Sequence, residues 1–174
     1  MLGIAHKNTE RLIDLVNDIL DMEKLTSGRM EFHFQPQDLS ELVTESIRIN
    51  EGFVRKYDVN FVLADLPTKV MVRGDSNRLT QVIANLLSNA AKFSPKGSDV
   101  EISIVLRKGV VRVSIVDHGP GIPEEFRKDI FGRFAQADGS DTRKKGGSGL
   151  GLNISKSIIE RQDGLSGFAS GDCV

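Results

Sequence analysis

The chain has 174 residues but only one cysteine, no tryptophan and one tyrosine. A single thiol cannot close an internal disulfide, so stability must come from an apolar core. Cys173, near the C-terminal end, reads as an incidental exposed thiol in a reducing compartment. An excess of either charge is also missing: 23 Lys and Arg stand against 24 Asp and Glu, a net charge of −1 with both signs mixed along the chain. That excludes the basic footprint of a nucleic-acid binder, and no nucleic-acid partner is expected. No apolar run reaches the roughly 18 residues that cross a bilayer, and no signal peptide precedes the first helix. The stretch is therefore expected to be soluble and cytoplasmic, with any membrane anchor of the full-length protein lying elsewhere. No Gly-Lys-Ser or Gly-Lys-Thr occurs, which excludes a Walker phosphate loop. The length allows one good core, or one domain with an appended element.

What the chain does have is a set of residues able to build a nucleotide site. In QVIANLLSNAAKFS, Asn85 and Asn89 stand four residues apart in a helical pattern, so their amides share a helix face and can offer oxygens to a hard cation. Lys92 falls on nearly the same face and adds a positive charge for phosphate. The apolar strand VRVSIVD ends on Asp117, read as a buried carboxylate that can accept from an exocyclic amine of a base. DHGPGI (117–122) and GGSGLGL (146–152) are glycine-rich and let backbone approach a ligand closely. A lone glycine cluster is more often a turn; the weight lies in the series.

The four strings QVIANLLSNAAKFS, DHGPGI, IFGRFAQAD and GGSGLGL, in that order, resemble the asparagine box, first glycine box, aromatic box and second glycine box of the ATP-binding domain of sensor histidine kinases, and the resemblance covers nearly the whole chain. It implies ATP and Mg2+ as cofactors, with magnesium on Asn89 and Asn85 in support, the adenine on Asp117, and a backbone wall at Gly119 and Gly121 beside the base. Phe93, Ile122 and Phe134 are implied to line the nucleotide. Backbone N–H groups of Gly147, Ser148, Gly149, Leu150, Gly151 and Leu152 would meet phosphate at the start of the last helix. The polar stretch 136–148 reads as a lid, and of Thr142, Arg143, Lys144 and Lys145 the last is favoured to reach the γ-phosphate. Asn85, Lys92 and Lys145 are the catalytic candidates.

Around these boxes the pattern predicts an α/β fold, a two-layer sandwich of a mixed sheet packed against helices. Leu12, Ile13, Val16, Ile19 and Leu20 form an apolar stripe on a first helix that needs a partner. LIDLVNDILDMEKL resembles the second helix of the kinase dimerisation hairpin, so residues 1–27 are expected to be part of that element and 28–174 the catalytic domain. Met1 reads as a cut inside a longer protein, and the chain is expected to stop one strand short of the family's sheet. Met30, Phe32 and Phe34 alternate as a strand that Pro36 closes. Asp38 and Glu41 start a helix to about Lys56, VNFVLAD and KVMVRGD form strands, and Asp75 caps the helix of the asparagine box. VEISIVLRKG and VVRVSIVDHG pair through a turn at Lys108-Gly109; the last helix runs from about Gly149 to Arg161, and GLSGFAS begins a final strand.

The phosphoacceptor histidine of the family is followed by an acidic residue and then a proline. His6 is followed by Lys7-Asn8-Thr9 and is not the acceptor, while His33 and His118 are assigned no chemistry. Related ATPases, the type II topoisomerases and mismatch-repair proteins, carry a glutamate four residues before the magnesium asparagine; here that position is Asn85, whose amide cannot serve as a general base. The resemblance thus implies γ-phosphoryl transfer from ATP to a histidine on a dimerisation domain, then to a response regulator receiver domain, in a homodimeric full-length kinase. The alternative is a degenerate ATP-binding regulatory module without transfer.

Overall fold

The computed structural model describes residues 2–64, 66–135 and 147–170. Along the chain run α1 (Leu2–Thr26), β1 (Gln35–Asp38), α2 (Leu39–Ile49), α3 (Glu51–Tyr57), β2 (Asn60–Leu63), β3 (Met71–Gly74), α4 (Ser76–Phe93), β4 (Asp99–Arg107), β5 (Val110–Val116), a 3₁₀ turn (Glu124–Phe126) and α5 (Gly151–Glu160). They group into two compact units, one of residues 1–31 and 122–167, the other of residues 32–121 and 168–174.

In the first unit α1 packs against α5. Gly28 ends α1 in the left-handed conformation that a side chain disfavours, with φ 70°. The Arg161 guanidinium donates to the carbonyl of Leu25 at 3.0 Å, and that of Arg133 to the Thr26 hydroxyl at 3.1 Å. Leu150, Ile154 and Ile158, one helical turn apart, are buried. The stripe of Leu12, Ile13, Val16, Ile19 and Leu20 is exposed among the described residues, 46–61% for each side chain. None of the helices there is long and apolar enough to cross a membrane.

The second unit is the expected α/β arrangement. β4 is the middle strand, parallel to β2 and antiparallel to β5, with Glu101 opposite Val116 and Arg107 opposite Val110. Its alternate residues Val100, Ile102 and Ile104 are buried against Val43 and Ile47 of α2 and Ile83, Leu87 and Ala90 of α4. That makes two layers, sheet and helices. Lys108 and Gly109 turn the hairpin with φ 51° and 78°, both positive as a two-residue hairpin turn that follows strand twist requires. Asp75, 3% exposed, caps α4 by accepting from Arg78 N–H at 3.1 Å; it also accepts from His33 N–H at 2.7 Å.

Six expectations about these elements are corrected. Residues 30–34 form no strand: Phe32 and Phe34 stack at 5.9 Å, but no strand among the described residues pairs with them, and the ladder begins at Gln35 opposite Gly74. Pro36 lies inside β1, tolerated because among the described residues β1 pairs with β3 alone and is an edge strand. The helix after Asp38 breaks at Asn50, whose side-chain amide donates to the Ser46 carbonyl at 2.7 Å and competes with helix continuation. Its N-cap, Asp38, accepts from Ser40 N–H, not from the third residue. The last helix starts at Gly151, not Gly149, because Gly149 has φ 73°. Residues 164–170 form no strand; Asp163 (φ 58°) and Gly164, whose N–H donates to the Ile159 carbonyl at 2.9 Å, are spent on ending α5, and Leu165 is almost wholly exposed.

Candidate functional site

Helix α4 sorts its residues as the periodicity requires. Val82, Ile83, Leu87, Ala90 and Ala91 are buried, and Asn85, Asn89 and Lys92, at i, i+4 and i+7, stay half-buried on another face. The Lys92 ammonium lies 4.5 Å from the ring centroid of Phe93, at the end of the same helix.

The first glycine segment meets that helix end at Gly119. A Cβ there would stand 2.7 Å from Asp117 Oδ1, 3.0 Å from the Phe93 carbonyl oxygen and 3.3 Å from its carbon, so only glycine fits between them. Asp117 Oδ1 accepts from the Gly119 backbone N–H at 2.9 Å. That bond holds the carboxylate at the mouth of the turn. Asp117 is exposed, which corrects the expected burial: it follows the last residue of β5, where the strand leaves the sheet. An exposed carboxylate still offers a ligand an acceptor. Gly121 has φ 72°, and a Cβ there would press on Ser170 Oγ at 2.7 Å.

The other unit carries the aromatic and second glycine segments. Phe134 has φ 58° and is 62% exposed. Gly149 packs directly on its backbone, since a Cβ would lie 2.9 Å from the Phe134 carbonyl carbon and 3.1 Å from the Ala135 oxygen. Phe131 is held from two sides: its carbonyl accepts from the Asn153 side-chain amide at 2.6 Å, and the Lys156 ammonium sits 5.3 Å from its ring centroid. The Ile122 carbonyl accepts from Arg127 Nε at 3.2 Å. Leu150 is buried, so only its backbone can serve a ligand, whereas Gly151 and Leu152 open α5. Lys145, with Thr142 to Lys144 and Gly146, lies outside the described residues.

Ser148 has a partner that the sequence did not announce. Its hydroxyl donates to Asp18 Oδ2 on α1 and accepts from the Leu150 backbone N–H at 3.1 Å. Burial pushes the Asp18 carboxyl above its usual range; the Ser148 bond opposes this, and Asp14 and Asp21 reinforce it. Asp75 moves the other way. Burial alone would raise it, but the N–H groups of His33 and Arg78 and the Arg78 charge hold it below the usual carboxylate range. Among the described residues no three His, Cys, Asp or Glu side chains cluster to hold a metal. A cation on this site would rest on amide oxygens, as Asn85 and Asn89 offer, together with the ligand's own phosphates.

Residues 74–170 match the family described as histidine kinase-, DNA gyrase B-, and HSP90-like ATPase. The hybrid signal transduction histidine kinase D of Dictyostelium discoideum is 34% identical over 168 residues, covering 94% of this chain, which spans only 11% of that relative's length. Among solved structures, a mycobacterial sensor histidine kinase, MprB, aligns with a TM-score of 0.63 at 32% identity, over 75% of this chain and 81% of its own. Full-length ShkA in complex with AMPPNP aligns with a TM-score of 0.73 at 29% identity, over 88% of this chain and 32% of its own.

Proposed function

This chain belongs to the histidine kinase-, DNA gyrase B- and HSP90-like ATPase family, among its sensor histidine kinases, and from that membership we propose that it is the ATP-binding catalytic part of such a kinase. In this reading residues 1–27 are the second helix of a dimerisation hairpin and residues 28–174 the catalytic domain of a homodimer. An imidazole nitrogen on the hairpin attacks the γ-phosphorus of ATP. The bond to the β,γ-bridging oxygen breaks as the P–N bond forms, ADP leaves, and the imidazole's N–H proton passes to solvent. The phosphoryl group then moves to an aspartate of a response regulator receiver domain.

The chain's own residues bind and orient. Asp117 accepts from the adenine amine, Gly119 and Gly121 give the base a wall of bare backbone, and Asn89, with Asn85 beside it, would hold magnesium, whose charge would offset that of the phosphates. Lys92 and Lys145 add positive charge for the phosphates, and the N–H groups of Gly147 to Leu152 meet them at the start of α5. Asn85 cannot deprotonate water, so hydrolysis is disfavoured against transfer.

The observation that carries this reading is the fit at Gly119, where the end of α4 and the Asp117 turn meet with no room for a Cβ. Calorimetry with Mg-ATP tests it. The chain should bind, and Asp117→Ala should lose about 1.5–3 kcal/mol of binding, the worth of a hydrogen bond to a charged group. Asn89→Ala should cost more in magnesium than in chelator. Equal affinity in Asp117→Ala refutes the assigned base orientation. Acid-labile label appearing on a separately supplied hairpin, given labelled ATP, separates a kinase from a module that only binds.

A further inference from the structure

Ser148 ties the second glycine segment to α1, a connection that binding a nucleotide does not by itself require. Its hydroxyl donates to the Asp18 carboxylate and at the same time accepts from Leu150 N–H. Leu150 is the N-cap residue of α5, and N–H groups at a helix start, which have no partner within the helix, are the donors an anionic ligand would take. One such donor is thus already occupied. Beside it, a single hydroxyl away, stands a carboxylate that would repel phosphate. Asp14 and Asp21 flank Asp18 at i−4 and i+3 on α1 and add to the negative field.

We propose that Asp18 and Ser148 form a latch that competes with nucleotide phosphate for the second glycine segment, so that ATP affinity is coupled to the state of α1. This rests on the ATP-binding reading above. Burial and the two neighbouring carboxylates work against the Asp18 charge, and the Ser148 bond favours it. Gly149 sits against the backbone of Phe134 with no room for a Cβ; in the latch, the segment holds either Asp18 or phosphate. Coupling between two sites is reciprocal. Any movement of α1 that withdraws Asp18 therefore raises nucleotide affinity, and bound nucleotide frees α1 by the same factor.

The test is Mg-ATP calorimetry on the whole chain and on Asp18→Asn, Ser148→Ala, the double variant and Asp14→Asn, with thermal melts to confirm folding. Asp18→Asn keeps the side chain's shape and removes its charge; it should tighten binding about three- to tenfold. Ser148→Ala frees the Leu150 donor and should tighten it as well. The double variant should gain less than the two single variants summed, because Ser148 is what holds the Asp18 charge against the segment. Asp14→Asn, which removes the same charge one turn away, should change affinity less than about twofold. Unchanged or weaker binding in Asp18→Asn overturns the latch, as does full additivity in the double variant. If Asp18→Asn melts far lower than the parent, Ser148→Ala alone decides: no gain in affinity there also overturns it. Absence of Mg-ATP binding by the unmodified chain instead refutes the ATP reading itself, and the latch with it.

Discussion

Replacing Gly119 with alanine adds one methyl group at the place where the candidate site is tightest. The new carbon would start 2.7 Å from Asp117 Oδ1 and 3.0 Å from the carbonyl oxygen of Phe93. A relaxed carbon contact lies at about 3.5 Å or more, so both neighbours crowd the new carbon, Asp117 the more severely. The Phe93 carbonyl belongs to the last turn of α4, anchored by the buried Leu87, Ala90 and Ala91. Asp117 is an exposed side chain held at Gly119 by one hydrogen bond. It is the softer partner and should swing away. Repacking of this kind costs about 1–3 kcal/mol of stability; Asp117 can absorb the worst contact, but the Phe93 carbonyl must also give by a few tenths of an ångström. The ligand should lose more: with the carboxylate displaced, the bond to the adenine amine proposed above goes, about 1.5–3 kcal/mol, or roughly a ten- to hundredfold rise in Kd. Calorimetry with Mg-ATP on melt-verified protein gives the answer. Gly119→Ala should weaken binding strongly with a small change in Tm, and combining it with Asp117→Ala should add little, since both remove one acceptor. A folded Gly119→Ala that binds like the parent, or losses that add in full, would refute the argument.

Asp75→Ala removes the α4 cap and strands the His33 N–H, and should cost about 2 kcal/mol in urea unfolding at neutral pH. Because the folded state holds the Asp75 carboxyl below its usual value of 3.8, its ionisation-linked contribution is complete above that value and fades as the pH falls through the lower folded one; the gap between parent and variant should narrow as the pH drops below 3.8. Gly109→Val tests backbone strain without a clash, since nothing lies within 4 Å of a Cβ there and only φ 78° opposes it. It should cost about 1–2 kcal/mol in Tm-derived stability and leave Mg-ATP affinity unchanged; an unaffected Tm would show that the turn relaxes freely.

Elements whose signal is local were legible in the sequence. The α4 periodicity, the Asp75 cap and the Lys108-Gly109 turn each depend on a few consecutive residues, and each stands where the pattern put it. The alternation of Met30, Phe32 and Phe34 misled because a strand also needs a neighbour, which sequence spacing cannot supply. Asn50 broke a helix whose apolar stripe continued past it, a case of side-chain chemistry overriding periodicity. Asp117 was identified by its place in DHGPGI, but its exposure depends on where β5 leaves the sheet. Nothing near Asp18 or Ser148 signalled their contact, since 130 residues separate them and Asp18 looks like any polar residue on an amphipathic helix. The glycine boxes named their own residues; the close approach of Phe93 to Gly119 appeared only in three dimensions.

The placement of β4 between its two neighbours has a consequence for how the sheet is assembled. β4 and β5 are joined by two residues and can zip together as a local event, on the order of microseconds for a hairpin. β2 has no partner among the described residues except β4, and Asn60 meets Asp99 only after the intervening segment, α4 included, has been gathered into a loop. The entropy of that closure must be met before the parallel pairing contributes anything. The hairpin is therefore the natural template, and the asparagine-bearing helix is brought into place by the same slow step that completes the sheet.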